Sequence, residues 1–167
     1  MKIILLILFL CISIFGNVIY SWNEIEYLEN SNVYVKKGTN NLVNANLKTF
    51  YTNGNLKSKI NIKQGKMNDL QEEYYRNGKL KSKVNMLNGK INGLQIDYYN
   101  NGQIKLKGIF KNSILNGKLY KYYKTGVLKL EGNYTNGKQN GMFQEFSKSG
   151  IILTKYSIKN NILNGVV

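Results

Sequence analysis

The chain has 167 residues, with 24 Lys and Arg against 9 Asp and Glu, a formal net charge of +15, one cysteine, and neither histidine nor proline. Lack of histidine removes the usual proton shuttle, and lack of a second cysteine leaves no nitrogen-sulfur ligand set, so neither general acid-base catalysis nor a bound metal or other cofactor is expected. The charge points to anionic partners, and a lone cysteine forms no internal disulfide.

Residues 1–16 place Lys2 ahead of an apolar run from Ile3 to Leu10, then Cys11, and end in Gly16. This is the pattern of a secretory signal peptide, a short hydrophobic helix ending at Gly16 or, alternatively, at Ser21. Export to the periplasm, the cell envelope or the medium is the corresponding expectation. The alternatives are an uncleaved membrane anchor and lipidation at Cys11, although Leu10 is larger than the residue a lipoprotein signal sets before its cysteine. Residues 17–32 read as a spacer carrying Glu24, Glu26 and Glu29, and residues 33–49 as a degenerate half-repeat that caps the amino-terminal end of the repeats.

From residue 50 to 167 one unit of 24 residues recurs five times, opening at Phe50, Tyr74, Tyr98, Tyr122 and Phe146, with the last copy incomplete. A fixed period of this length marks a stack of supersecondary units, none of which buries its apolar face alone. Gly54, Gly78, Gly102, Gly126 and Gly150 form an unbroken column and are read as structural turn residues. At 53–54, 77–78 and 101–102 the column sits in an Asn-Gly dipeptide, which predicts a type I′ turn with positive φ at both residues. After each turn the residues alternate, as in Leu80, Ser82, Val84 and Met86 against Lys81, Lys83 and Asn85, which is strand behaviour. The second link of each unit, such as Asn88 to Gly93, turns the chain back. The expected fold is all-β: an elongated, twisted, single-layer antiparallel meander of repeated hairpins with about ten to twelve strands.

From residue 33 onward 23 basic residues face 6 acidic ones, so the repeats alone carry +17. Two lysine columns stand out. Lys57, Lys81, Lys105 and Lys129 share one repeat position, and Lys59, Lys83, Lys107 and Lys155 another. Period-two alternation predicts both columns on the face opposite Leu56, Leu80, Ile104, Leu128 and Ile152. Steps of about 9–10 Å are nearly screened at physiological salt, so the ladders are tolerable as solvated surface. The functional reading makes Lys57, Lys59, Lys81, Lys83, Lys105, Lys107 and Lys129 contacts for an anionic phospholipid or glycan. Paired tyrosines read as cross-strand packing. Nucleic acid is not expected of an exported chain, and a protein partner or edge-to-edge self-association is.

The string Tyr-Tyr-x-Asn-Gly-x-Leu-Lys, with Tyr134-Thr135-Asn136-Gly137-Lys138-Gln139-Asn140-Gly141, resembles the bacterial variant of the MORN repeat found in YwqK-family antitoxins. The resemblance covers residues 33–167 and departs from the pattern at Asp69, Ser113 and Asn161. It implies a non-enzymatic sheet of hairpins serving as an interaction module or scaffold, and a place in a toxin-antitoxin system. A neutraliser of a cytoplasmic toxin has no use for an export signal, so the antitoxin role stands as the alternative to export.

Overall fold

The computed structural model describes residues 22–166, so the expected signal helix of residues 1–16 lies outside the described residues. A 3-10 turn at Trp22–Glu24 leads into β1 (Ile25–Leu28) and β2 (Val33–Lys36), a two-stranded hairpin. Strand β1 thus lies inside the stretch read as spacer.

One open antiparallel sheet takes up the rest. It contains β3 (Ala45–Phe50), β4 (Leu56–Lys63), β5 (Lys66–Met67), β6 (Asp69–Tyr74), β7 (Leu80–Leu87) and β8 (Lys90–Tyr98). It continues through β9 (Ile104–Lys111), β10 (Ile114–Tyr122), β11 (Leu128–Thr135), β12 (Lys138–Gln139), β13 (Gly141–Phe146), β14 (Ile152–Lys159) and β15 (Ile162–Val166). Strands β5 and β6, like β12 and β13, are two pieces of one broken strand, so the sheet runs eleven strands from β3 to β15 in chain order. Each strand packs on its sequence neighbours, as the repeat implies for an all-β meander of hairpins.

Two kinds of reversal alternate, and they differ from the turn chemistry expected. At the Tyr-x-Asn-Gly links the Tyr51 N–H donates to Asn55 O at 2.8 Å and the Gly54 N–H to Tyr51 O at 2.9 Å. This is a three-residue loop closed by a left-handed glycine, with φ +84 at Gly54, while Asn53 keeps a negative φ. The glycines in the same column have φ between +82 and +95. The two-residue I′ turns lie at the other links. Asn88 and Gly89 take φ of +52 and +78 between the paired residues Leu87 and Lys90. Asn112-Ser113 and Asn160-Asn161 adopt the same shape without glycine, since short amide and hydroxyl side chains tolerate this region.

The loop geometry has a consequence for register. Thr49 pairs with Ser58 and Phe50 with Leu56, so Lys57 is skipped. The same slip skips Lys81, Lys105, Lys129 and Leu153. Each hairpin therefore carries one β-bulge directly after its loop.

Burial is concentrated at two places. Ile25, Val43, Ala45, Leu47 and Ile62 form a core in which the β1–β2 hairpin covers the first strands of the sheet. Near the other end Phe143 is fully buried, edge-on to Tyr134 at 5.6 Å and stacked on Tyr156 at 5.7 Å. Its ring lies on Gly132, where a Cβ would overlap the ring atoms. Where β4 leaves β6 to pair with β5, the buried Gln71 side chain fills the ladder: its amide donates to Asn61 O at 3.0 Å, and its carbonyl accepts from the Asn61 N–H at 2.9 Å. No buried side-chain polar atom among the described residues lacks a partner.

Gly132→Ala is expected to lower unfolding stability by about 1–3 kcal/mol through overpacking against Phe143, read as a lower urea midpoint at unchanged slope. Gly78→Ala, in open space but left-handed at φ +82, is expected to cost about 1–2 kcal/mol. Gly78→Asn should recover most of that loss, and equal costs for the alanine and asparagine variants would show that backbone strain is not the cause.

Candidate functional site

The surfaces of the sheet are set by hydrogen bonds from one repeat to the next. Four phenols reach across the repeat junction to main-chain carbonyls: Tyr51 to Tyr74 at 2.7 Å, Tyr75 to Tyr98 at 2.6 Å, Tyr99 to Tyr122 at 2.8 Å and Tyr123 to Phe146 at 2.8 Å. The second tyrosine of each pair is therefore a tie between hairpins as well as a packing residue. The loop asparagines work in both directions. Asn77 Oδ1 accepts from the Lys79 N–H at 3.1 Å within its own loop, and its amide donates to Asn100 O of the next loop at 3.1 Å. Asn53 and Asn101 repeat the arrangement.

The lysine columns do not share a face. Lys59 stands opposite Glu72 in register and binds it at 2.8 Å, whereas Lys81 binds Glu73, the next residue of the same strand, at 2.9 Å. Adjacent strand residues point to opposite sides. The bulge is the cause: as the skipped residue, Lys81 is re-aimed to the side of Ser82 and its partner Glu73. Lys57, Lys105 and Lys129 occupy the same bulge position. Lys105 joins Lys81, Glu73, Ser82 and Asp97 around a shallow basin of about 220 Å³.

The bulge also carries the aliphatic column across. Tyr74 donates to Glu72 at 2.9 Å and lies under Lys59 at 5.7 Å, and Leu80 is its register partner. Leu56, Leu80, Ile104 and Leu128 hence share a face with Lys59, Lys83 and Lys107. Only Lys57, Lys81, Lys105 and Lys129 lie opposite them, so the expectation that both lysine ladders do is corrected.

That second face is mixed in character. Across it Lys59, Glu72, Lys83, Ile96 and Lys107 follow one another in register, with Ile96 buried between two half-buried lysines. Such lysines cover apolar surface with their stems and keep the ammonium in water. Beside them runs a row of register pairs, Tyr74 with Leu80, Tyr98 with Ile104 and Tyr122 with Leu128. The hydrogen bond from Lys59 holds the Glu72 carboxyl below its ordinary value, against a smaller opposing effect of burial. The same bond raises Lys59. Burial raises the phenols of Tyr74 and Tyr122.

A further basic feature escapes column reading. The I′ turns line one rim of the sheet and bring together Lys63, Lys66, Lys90, Lys111, Lys138 and Lys159, all exposed except the half-buried Lys66. Lys63 is tied to Asp69 at 2.7 Å. These lysines flank their turns on either side and so scatter over two columns of the 24-residue alignment. Their common signal is a lysine beside every Asn-Gly-like pair of the second link. Arg76, Lys79, Lys124 and Lys148 sit in the loops of the opposite rim.

Two measurements probe these contacts. Tyr99→Phe removes one junction bond and leaves the Tyr122 carbonyl without it, so a loss of about 1 kcal/mol in urea unfolding is expected. An unchanged midpoint would mean the phenol contributes nothing. Glu72 has a depressed carboxyl, so its stabilisation is present above its ordinary value of 4.5 and is lost as pH falls below it. The unfolding midpoint of Glu72→Gln should accordingly fall less steeply than that of the parent protein on going from about pH 6 to about pH 3.

Comparison with known proteins accords with this geometry. The model of a family described as MORN repeat variant matches residues 44–64, 70–88, 91–112 and 115–136, half of the chain. Every match begins within one residue of the start of the first strand of a hairpin, runs over a three-residue loop, and stops on the first residue of an I′ turn. The hairpin of β13 and β14 has the same design, with Gly150 at φ +85, beyond the last matched residue. A search of curated proteins finds no match. Four matched hairpins in one register carry the assignment: the chain belongs to the MORN repeat variant family.

Proposed function

We propose that this protein is an exported, non-enzymatic interaction module that holds a partner protein with an acidic surface. The observation that carries the reading is the face on which Lys59, Lys83 and Lys107 border the row of tyrosine-aliphatic pairs. Aromatic and aliphatic groups with charge at the margin are the composition of a protein-binding surface. Few of the cations are satisfied internally: among the described residues three ion pairs form, Lys59–Glu72, Lys63–Asp69 and Lys81–Glu73. The remaining lysines supply a field that steers an acidic partner onto the sheet.

The lysine rim of the I′ turns supports a second reading, association with an anionic phospholipid or glycan surface, because a line of exposed cations can meet a flat surface edge-on. The finer kinship, to bacterial YwqK-type antitoxins, rests on the Tyr-Tyr-x-Asn-Gly-x-Leu-Lys string. It would make the partner a toxin protein and would exclude export.

Crosslinking in native cells, with the amino-terminal residue and cell fraction of the mature protein determined alongside, tests these readings. Capture of a discrete acidic protein is expected, and Lys59→Gln, Lys83→Gln and Lys107→Gln together should reduce it at least tenfold, while Lys90→Gln, Lys111→Gln and Lys138→Gln leave it unchanged. Recovery of no stable partner would sink the protein-binding reading. Liposome binding lost in the rim variant alone would favour the anionic surface, and an intact amino terminus in the cytoplasmic fraction would rule out export.

A further inference from the structure

Beyond Lys107 the face that carries Lys59 and Lys83 changes sign. In register across the strands Lys107 is followed by Tyr120, Tyr120 by Glu131, and Glu131 by Gln144. Glu131 occupies the repeat position that holds Lys59, Lys83, Lys107 and Lys155 in the other hairpins. The remaining carboxylates of the sheet are satisfied from within it. Asp69, Glu72 and Glu73 are bound by lysines, Asp97 accepts from Ser82 and Gln95, and Glu145 accepts from Tyr156. Among the described residues Glu131 has neither an ion pair nor a hydrogen-bond donor on its carboxylate.

Its surroundings suit a positive charge. Glu131 is half-buried in the wall of a shallow basin of about 230 Å³, with Tyr120 and Gln144 on either side and Lys118, Asn133 and Met142 lining the next row. Tyr122 follows two residues after Tyr120 on the same face. Burial raises its phenol most, and the neighbouring Tyr120 and Glu131 act in the same direction. A carboxylate among phenol rings holds an organic cation by charge on one side and by the ring quadrupole on the other. Guanidinium fits this set better than ammonium, since it offers two parallel N–H groups to a carboxylate and a flat face to a ring.

We propose that the basin between Tyr120 and Glu131 takes an arginine side chain of the partner protein. The inference rests on the acidic partner proposed above and adds one basic residue to its description. A free cation is repelled by the net charge of +15, whereas an arginine set in an acidic surface is carried in by the same field. Two strand spacings separate Glu131 from Lys107, about 9–10 Å, so the arginine lies that far beyond the acidic group that meets Lys107. One contact of opposite sign fixes orientation, because a partner docked the other way round would set its arginine against a lysine.

The test uses the protein alone, with N-acetylarginine amide as the probe and its neutral isostere N-acetylcitrulline amide as the comparison. The readout is the methyl resonance of Met142, which lines the basin and is 41% exposed. A saturable shift is expected with the arginine amide, and a dissociation constant at least fivefold larger with the citrulline amide. Glu131→Gln and Tyr120→Leu should each weaken the arginine amide at least threefold, while Glu145→Gln, on the opposite face, leaves it unchanged. Glu131→Gln removes no internal bond, so its urea transition should match that of the parent and separate lost binding from lost fold. Equal binding of the two probes, or arginine binding that survives Glu131→Gln, overturns the proposal. So does crosslinked capture of the acidic partner that is indifferent to Glu131→Gln. The titration needs no partner, so its failure is distinct from that of the protein-binding reading, which shows as no captured protein.

Discussion

Backbone in the left-handed region at every strand end is the constraint on which this protein rests. With no disulfide and little two-layer core beyond the amino-terminal cluster, cohesion comes from hairpins held in register, and register is fixed by how each reversal closes. Asparagine and glycine reach that region at low cost. Their side chains and N–H groups then do a second task, bonding to the turn of the adjoining repeat. Turn formation and repeat docking are one event.

The alternation between two reversals, a three-residue loop and an I′ turn, explains the distribution of charge. Each loop is followed by a bulge, and the first four bulges turn Lys57, Lys81, Lys105 and Lys129 onto the face opposite Lys59, Lys83 and Lys107. Cations are thereby spread over two faces and two rims instead of crowding one. Repulsion is diluted, and acidic residues such as Glu72 and Glu73 are able to serve one lysine on each side.

The hairpins, their strands and their turn glycines were legible in the residues because alternation and the glycine column are local signals. The type of turn was not. Asn-Gly occurs in both kinds of link, and the choice between them is made by closure of the Tyr51 N–H onto Asn55 O, a contact no dipeptide reveals. The face of Lys81 was hidden for the same reason, since a skipped residue reverses the inference from alternation. The tyrosine ties escaped notice because they join residues 23 apart across a junction. The rim lysines were hidden by their scatter over two columns. At the amino terminus β1 has no repeat to announce it; its pairing with β2 and the packing of Ile25 against Val43 and Ile62 define it.

The phenol ties run in one direction, each donated toward the carboxyl-terminal neighbour, and Ser147 stands where the preceding hairpins place a tyrosine. Cohesion is therefore graded along the stack. In a one-dimensional array whose units hold only their neighbours, opening begins at the least fastened terminus and travels inward. Amide protons beneath the β1–β2 cover, where Val43, Ala45, Leu47 and Ile62 are buried, would exchange with solvent last, so that cover acts as the stop of a zip.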